Sequence, residues 1–355
     1  MIKNYLKIAW RSLFKNKAHS FINITGLSVG MAVAILIGLW IWDELSFDKY
    51  HENYDSIVQV MQHQTFNGEV GTQGTIPMPL GYKLRQDYKG DFKYAVLATR
   101  IDEHVVANGD KKLTQTGNFM QPEAPEMLTL KMLKGSRSGL KDPSSILLSA
   151  SLAKSLFGNT EPMNQVLKID SKLNVKVTGV YQDLPHNTTF NQLAFIAPWD
   201  LYITTNPYLK TATTIWGNNS WRLFARLQPG ADIHNVNAKI KNLKLQGLAA
   251  QGDKLGVSFK AAIFLQPMRR WHLYSEFKNG VNTGGEIEFV WMFGIIGVFV
   301  LLLACINFMN LSTARSEKRA KEVGIRKTVG SLRSQLIGQF FGESLMVTGF
   351  RDRIV

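Results

Sequence analysis

The chain has 355 residues, of which 45% are hydrophobic, with a formal net charge of +14 and a single cysteine. One cysteine excludes a fold held together by disulfides, and this apolar content excludes an intrinsically disordered chain. Fourteen basic residues and four acids lie outside residues 43–288, so these outer parts carry ten of the fourteen net positive charges and the central region carries only about +4. A function in binding nucleic acid therefore loses its main support.

The N-terminal part of the chain is a basic segment followed by a long apolar run. Residues 1–20 contain five basic residues and no acid, and we expect them on the cytoplasmic side. Residues 21–42 contain no charged side chain and are long enough to cross about 30 Å of hydrocarbon as a transmembrane helix. Because Asp43 and Glu44 follow this run, the N terminus is expected in the cytoplasm.

A cleaved signal peptide is the alternative interpretation of the first apolar run. The run is longer than the core of about 7–15 residues that signal peptides have, and no small-residue cleavage site follows it. Trp40 and Trp42 end it in the way that interfacial aromatic residues end membrane helices. We therefore expect an uncleaved membrane helix.

Small residues recur every four positions in the first span, at Gly26, Gly30 and Ala34. This spacing places them on one face of a helix, where they let a second helix approach closely in lipid. We predict that the helix packs along this stripe. The alternative, which stays open at this point, is that glycine and alanine are simply common in membrane helices.

Residues 43–288 predict an extracytoplasmic domain of the α+β class, large enough for two subdomains. Runs in which apolar and polar residues alternate indicate strands, and apolar residues at helical spacing indicate helices. Ser149 is placed to cap one helix and Gly158 to end it. The predicted strands are 56–62, 94–101, 146–149, 173–181, 193–197 and 220–227, the predicted helices are 79–87, 149–157 and 231–248, and the predicted loops are 67–81, 135–144 and 205–220.

The phosphate-loop and zinc-protease motifs of catalysis were not found in the sequence. It contains no Gly-x-x-x-x-Gly-Lys-Ser/Thr phosphate loop and no His-Glu-x-x-His zinc motif. Its seven histidines do not have the spacing of zinc ligands. We therefore predict no catalytic residue, no cofactor and no metal site, and we expect that the chain is not an enzyme.

Residues 289–310 form a second apolar run without a charged side chain. Glu286 and Glu288 precede it, and seven basic residues but only two acids lie between 311 and 333. The basic residues again mark the cytoplasmic side. Both spans therefore give the same orientation, with the central region outside the cytoplasm.

The most specific part of the sequence begins after the second span, in residues 311–340. It resembles the cytoplasmic segment of FtsX-like, MacB-type ABC transporter permeases, whose pattern is Ala-Arg, then Arg-x-Lys-Glu-Ile-Gly-Ile-Arg-Lys, then Gln-Phe-x-x-Glu-Ser. The stretches 7–30, 147–158 and 177–187 are also similar to that family, whereas Pro162-Met-Asn-Gln165 departs from its usual Pro-Ile-Gly-Lys. The similarity at the start of the chain implies that residues 1–20 form the cytoplasmic amphipathic entry helix of these permeases. The residues that match the cytoplasmic pattern are Arg315, Arg319, Lys321, Glu322, Gly324, Ile325, Arg326, Lys327, Gly330, Ser331, Gln339, Phe340, Glu343 and Ser344.

The resemblance implies a permease of the cell inner membrane that is driven by a separate cytoplasmic ATPase subunit. Members of the family have four spans and work as dimers, so a second permease copy or a paralogue is an implied partner. Membrane lipid and a periplasmic or outer-membrane protein are further implied partners. The implied function is to couple ATP hydrolysis to movements of the periplasmic domain, for export or extrusion of a peptide, an antibiotic or a lipoprotein.

Residues 311–340 are the segment that the resemblance assigns to coupling with the ATPase. We expect Gly324 and Gly330 to break this stretch, which favours a short docking element over a continuous helix. A basic stretch that touches anionic lipid head groups is the alternative. The residues expected to couple to the ATPase are Arg319, Lys321, Glu322, Gly324, Arg326 and Lys327.

Residues 341–355 predict the start of a third span that Arg351, Asp352 and Arg353 interrupt. We therefore expect a truncated or split product that lacks the third and fourth spans. The alternative function for the whole chain is a two-span membrane receptor with an extracytoplasmic ligand-binding domain.

Overall fold

The computed structural model describes residues 17–328 and Ile337. The expectations for residues 1–16, for a break at Gly330 and for 341–355 therefore lie outside the described residues. The chain forms two compact units, a central domain over Glu44–Ile287 and a helical unit formed by the parts of the chain before and after it.

In chain order, the helices are α1 (Lys17–Leu45), α2 (Met78–Asp87), α3 (Ala124–Met127), α4 (Ala150–Phe157), α5 (Trp199–Thr204), α6 (Pro207–Ala212), α7 (Ile233–Ile240), α8 (Leu243–Ala250), α9 (Lys254–Ser258) and α10 (Glu286–Thr328). The strands are β1 (Ile57–Phe66), β2 (Glu69–Gln73), β3 (Phe92–Ala98), β4 (Asp102–Asn108), β5 (Lys111–Met120), β6 (Met132–Gly135), β7 (Ser145–Ser149), β8 (Val166–Ile169), β9 (Leu173–Tyr181), β10 (Phe195–Pro198), β11 (Arg222–Leu227), β12 (Ala262–Pro267), β13 (Glu276–Lys278) and β14 (Val281–Gly284). The predicted α+β class, with long apolar helices on either side of a mixed domain, is confirmed.

Within the described residues, two helices are long and apolar enough to cross a membrane, namely Thr25–Leu45 with 21 residues and Glu286–Asn310 with 25. The second continues without a break to Thr328 as α10. The predicted break at Gly324 is therefore wrong for the backbone. One glycine costs a helix only about 1 kcal/mol, and the strong helix formers around it offset that cost.

A twelve-stranded sheet runs through the whole central domain. Strands β10, β7, β9, β8, β4 and β5 follow one another in the sheet, and β10 also pairs in parallel with β5, so these six strands close into a ring. We call this part the ring half. Strands β3, β11, β1 and β12, with β2 beside β1, form the open-sheet half. The halves meet in the sheet where Ala98 of β3 pairs with Met120 of β5.

Three apolar cores hold this arrangement together. One lies between the open sheet and helices α2 and α7, with Leu80, Leu97 and Ile240 fully buried. A second fills the ring half, around Ile146 and Phe195. The third joins the two halves. The two expected subdomains are thus halves of one compact unit that share a sheet and a core. The third core includes Ile57, Val96, Met120, Leu128, Tyr181, Phe190, Phe224 and Met268.

Local signals in the sequence explain several element boundaries. The hydroxyl of Ser149 accepts the N–H of Leu152 at the start of α4, and Gly158 has a φ of 60° at its end, as predicted. The strand predicted at 173–181 has these bounds in the structure. Each of the other predicted strands overlaps an observed one.

The helix predicted over 231–248 is wrong as a single element. It is divided into α7 and α8, because the chain leaves helical geometry at Asn242. The main-chain carbonyl of Lys241 then accepts the N–H of Ile263 at 2.8 Å, and the amide oxygen of Asn237 accepts that of Leu265 at 2.8 Å. The break therefore satisfies hydrogen-bonding groups on β12, the strand at the end of the sheet order.

Two predicted loops also contain regular structure. The loop predicted at 67–81 holds β2, which pairs with β1 across the turn Asn67-Gly68. Both turn residues have positive φ, which is the geometry that an Asn-Gly hairpin turn requires. The loop predicted at 205–220 holds α6, capped by Asn206.

Candidate functional site

Small residues lie at the contact between the two long helices within the helical unit. A Cβ atom placed on Gly30 would lie 2.7 Å from Cβ of Ala304, and one on Gly26 would lie 3.0 Å from Nδ2 of Asn307. Further along, Trp40 meets the ring of Phe293 edge-on with 5.0 Å between centroids. Residue numbers rise on one helix as they fall on the other, so the helices are antiparallel. Ala34 is half-buried in the same stripe, and the role of Gly26, Gly30 and Ala34 in helix association stays a prediction.

The other faces of these helices carry large exposed apolar side chains. Leu36 is 65% exposed, and Trp42 and Trp291 are about 70% exposed. A continuous apolar surface of this kind is what a helix surrounded by lipid presents.

A serine motif in the first long helix has no catalytic geometry. Residues 26–30 read Gly-Leu-Ser-Val-Gly, which matches the Gly-x-Ser-x-Gly pattern of serine hydrolases. That pattern requires a sharp turn between a strand and a helix, whereas these residues lie inside α1. Ser28 is therefore a helix residue and not a nucleophile.

The residues predicted to couple to the ATPase lie near the C-terminal end of α10. Their backbone is helical, and their side chains lie outside the described part of the structure. Ile325, between them, has a described side chain that is 59% exposed. The coupling role stays a prediction for Arg319, Lys321, Glu322, Gly324, Arg326 and Lys327.

The chain between the first long helix and β1, residues 44–56, is bound tightly into the central domain. We call it the connector. Asp48 in this segment has a φ of 62°, a left-handed conformation that Asp tolerates better than most residues, and its side chain is buried. Its carboxylate accepts hydrogen bonds from Oγ1 of Thr188 at 2.7 Å, from N of Thr189 at 2.7 Å and from Oγ1 of Thr189 at 2.8 Å. Its N–H donates to the carbonyl of Asn187 at 2.8 Å.

His51 extends this network toward α3. Its Nδ1 donates to the carbonyl of Leu128 at 2.7 Å, and its Nε2 lies 3.0 Å from Oγ1 of Thr188. The side chain is buried, with the rings of Tyr50 and Phe190 edge-on to it. Burial lowers the pKa of His51 below its ordinary value, although the Leu128 carbonyl and the Asp48 carboxylate act in the opposite direction.

A second set of contacts joins the connector to the chain that leads into α10. We call residues 268–287 the return segment. His272 in this segment stacks on Phe47 with 3.8 Å between ring centroids and 9° between planes, and its Nε2 lies 2.5 Å from Oε2 of Glu44. The connector and the return segment are therefore clasped together within the central domain.

The return segment is in turn bonded to the end of β12. The indole N–H of Trp271 donates to the carbonyl of Gln266 at 2.8 Å, and the Gln266 amide donates to the carbonyl of Tyr274 at 3.1 Å. Asn282 donates to the same Tyr274 carbonyl at 2.7 Å. At Gly285, φ is 139° and an added Cβ would lie 2.9 Å from Oγ of Ser275, so only glycine fits here.

Lys244 is a buried charge that the sequence did not reveal. Its ammonium group donates to the amide oxygens of Gln62 and, at 2.7 Å, of Asn219. Burial lowers its pKa to about 8. Its neutral partners indicate a structural role between α8 and β1. Over residues 17–328, no group of three or more His, Cys, Asp or Glu side chains is placed to hold a metal ion.

Comparison with known proteins places two family models on this chain. The model of the MacB-like periplasmic core domain matches residues 20–243, and the model of the FtsX-like permease C-terminal region matches residues 294–350. The first match alone covers more than half of the chain.

Curated relatives match over a similar part of the chain. The macrolide export ATP-binding/permease protein MacB of Bdellovibrio bacteriovorus is 24% identical over 207 residues, and that of Bordetella avium is 26% identical over 204 residues, in each case 57% of this chain. The uncharacterized ABC transporter permease YknZ of Bacillus subtilis is 23% identical over 216 residues, or 61% of this chain. The matched part spans 28%, 27% and 46% of the length of these relatives, respectively.

Solved structures with this fold include a domain of a protein described as a permease from Porphyromonas gingivalis. It is 18% identical, with a TM-score of 0.51, over 68% of this chain and 98% of that domain. The periplasmic region of MacB from Actinobacillus actinomycetemcomitans gives a TM-score of 0.43 at 11% identity, over 61% of this chain and 91% of that one. On the strength of the family match, the chain belongs to the FtsX-like permeases of ABC transporters that carry a MacB-like periplasmic core domain.

Proposed function

We propose that this chain is the membrane permease subunit of an ABC transporter, and that a separate cytoplasmic subunit hydrolyses ATP for it. The observation that carries the proposal is the order of its parts. A MacB-like core domain lies between two apolar helices, and the FtsX-like match begins inside the second helix and continues past it. Export or extrusion of a peptide, an antibiotic or a lipoprotein is the proposed transport function, and a second permease copy completes the proposed assembly.

The distribution of charge supports one orientation of the proposed permease. Basic residues lie near the N terminus and after Asn310, whereas acids lie at the ends of both helices that adjoin the central domain. The N terminus and the end of α10 are therefore assigned to the cytoplasm, and the central domain to the periplasm or cell exterior. The protein would be a multi-pass protein of the inner membrane.

The length of α10 supports a docking role for its C-terminal part. The helix continues for 18 residues beyond Asn310. At a rise of 1.5 Å per residue, these residues extend about 27 Å past the apolar part. They carry both signs of charge and the exposed Ile325, which suits contact with another protein. An ATPase bound there would move the helix as a rigid rod.

The test is co-purification in detergent with candidate ATPase subunits encoded near this gene. Wild type is compared with the triple variant Glu322→Ala/Arg326→Ala/Lys327→Ala. The matched control removes the same charges from exposed positions on the central domain, Glu103→Ala/Lys111→Ala/Lys112→Ala. We expect capture by wild type and by the control, and loss of capture in the triple variant.

Failure of the wild-type chain to capture any ATPase would overturn the proposal. A ligand-induced change in the central domain without an ATPase would then favour the two-span receptor.

A further inference from the structure

The covalent chain and the hydrogen bonds of the connector lead to different halves of the central domain. The chain continues from the connector directly into β1, which belongs to the open-sheet half. The carboxylate of Asp48 is instead bonded to Thr188 and Thr189, in the loop between β9 and β10 of the ring half. The N–H of Glu52 also donates to Oγ1 of Thr129, which follows α3, at 3.0 Å.

The return segment has no such polar attachment among the described contacts, and its contact with the β9–β10 loop is apolar, with the ring of Trp271 edge-on to Phe190 at 6.3 Å between centroids. It leaves β12 of the open-sheet half and is bonded back to the end of that strand through Trp271 and Gln266. Its link to the connector is His272. The Asp48 network is therefore the buried polar attachment through which the chain after the first long helix reaches the ring half, beside a less buried bond from Nδ2 of Asn187 to Oγ of Ser46 at 2.9 Å.

The network consists of a carboxylate, an imidazole and a hydroxyl that are buried away from water. Asp48 and His51 are each 1% exposed, and Thr188 is fully buried. The Thr188 hydroxyl lies between the other two groups, donating to Asp48 and lying within hydrogen-bonding distance of His51. A buried carboxylate that loses a donor cannot replace it with solvent, so the contact holds until the whole network separates.

We propose that Asp48, His51 and Thr188 form a latch through which the chain after the first long helix moves the ring half of the central domain relative to the open-sheet half. The proposal rests on the proposed function, because an ATP-driven movement of the long helices is the motion that the latch transmits. Breaking the latch leaves α1 tied to β1 and uncouples the ring half.

Thr188 is the residue at which the latch can be opened with the smallest change in shape. Thr188→Val keeps the size of the side chain and removes the hydroxyl, which leaves the buried Asp48 carboxylate with only the two donors of Thr189. Thr188→Ser keeps the hydroxyl. Thr178→Val is a matched control in the same half, because the Thr178 hydroxyl donates to the carbonyl of Gly139 at 2.9 Å and has no bond to the connector.

The first test needs no partner and measures amide hydrogen exchange of the whole chain in detergent. In Thr188→Val we expect peptides covering residues 44–56 to exchange about tenfold faster, since a buried polar group without its partner weakens local structure by an amount of that order. Thr188→Ser and Thr178→Val should leave these peptides unchanged. Unchanged exchange in Thr188→Val, or a uniform acceleration over the whole central domain, would overturn the latch.

The second test measures the coupling itself. Cys305, the single cysteine, is replaced by serine, and spin labels are placed on new cysteines at Val166 in the ring half and Tyr208, whose helix packs on the open-sheet core. Both positions are exposed, at 62% and 51%. In the complex with the ATPase, ATP should change the distance between the labels in wild type and in Thr178→Val, and this change should be lost in Thr188→Val.

The outcomes separate the two proposals. Absence of an ATPase complex contradicts the proposed function, and the exchange experiment still decides whether the latch exists. A complex in which Thr188→Val shows the full ATP-dependent distance change contradicts the latch and leaves the proposed function in place.

Discussion

The imidazole of His272 lies flat on the ring of Phe47, with 3.8 Å between centroids, although 225 positions separate the two residues in the sequence. The same imidazole is hydrogen-bonded to Glu44. One side chain thus joins the segment that follows the first long helix to the segment that precedes the second. The segment by which the chain enters the central domain and the segment by which it leaves are therefore in direct contact.

This clasp predicts a moderate loss of stability when the ring is removed. His272→Ala should lower the free energy of unfolding by about 1–2 kcal/mol, from the lost stacking and the lost bond to Glu44. His272→Phe keeps the stacking and should recover part of that loss. The measurement is chemical denaturation of the detergent-solubilised chain followed by tryptophan fluorescence. Equal midpoints for wild type and His272→Ala would show that the clasp contributes nothing to stability.

The close contact at Gly30 predicts that a larger side chain there will destabilise the pair of long helices. A side chain at this position must displace Ala304, so Gly30→Leu should destabilise the helical unit by roughly 1–3 kcal/mol. Gly38→Leu is the matched control, because no atom lies within 4 Å of a Cβ at Gly38. Thermal unfolding in detergent should show a lower midpoint for Gly30→Leu and no change for Gly38→Leu. A similar loss in both variants would mean that helix propensity or detergent contact, and not packing, sets the result.

The buried His51 and the half-buried His63 predict that the domain becomes less stable in acid. Burial lowers the pKa of both His51 and His63 below the ordinary value of 6.5, so the folded chain takes up these protons at lower pH than the unfolded chain. Stability is therefore lost as pH falls below about 6.5. Denaturation midpoints at pH 7.5 and pH 5.5 should differ less in His51→Asn and in His63→Asn than in wild type. The exposed His234→Asn serves as control, and the same pH difference in all four proteins would contradict the assignment.

Lys244 predicts that stability also rises with pH on the alkaline side. Its pKa is about 8 in the folded chain against an ordinary 10.5, so above pH 8 the folded state releases a proton that the unfolded state keeps. Stability should therefore rise between pH 8 and 9.5, by roughly 1–2 kcal/mol. Lys244→Met removes the titrating group and should abolish this rise. Denaturation at a series of pH values tests the point, and a parallel rise in Lys244→Met would assign it to other groups.

Local sequence patterns predicted much of the secondary structure but not the closure of the sheet. The strand from Leu173 to Tyr181 alternates visibly, and Ser149 and Gly158 mark both ends of a helix. Strands β4 and β5 were missed because they carry many polar residues, although Gly109 and Asp110 form a tight turn between them. The parallel pairing of β10 with β5 joins distant parts of the chain, and no local pattern encodes it.

The candidate sites also differ in whether local sequence patterns could have predicted them. Gly26 and Gly30 could be read from their spacing, because helix geometry alone places them on one face. The residues of the latch could not, since Asp48 and Thr188 are 140 positions apart and each is an ordinary polar residue in its own segment. His51 and His272 looked like isolated histidines in the sequence, and their partners come from other elements.

The closed ring of six strands also decides how another protein can bind this half of the domain. Strands at the edge of an open sheet present unpaired N–H and C=O groups, onto which a neighbouring chain can add a strand of its own. The six ring strands have neighbours on both sides, and the edge strand described beside them is the short β6, which pairs with β9 alone. A protein that docks on the body of the ring must therefore recognise side chains, so its specificity is set by surface residues that can vary from one family member to the next without disturbing the fold.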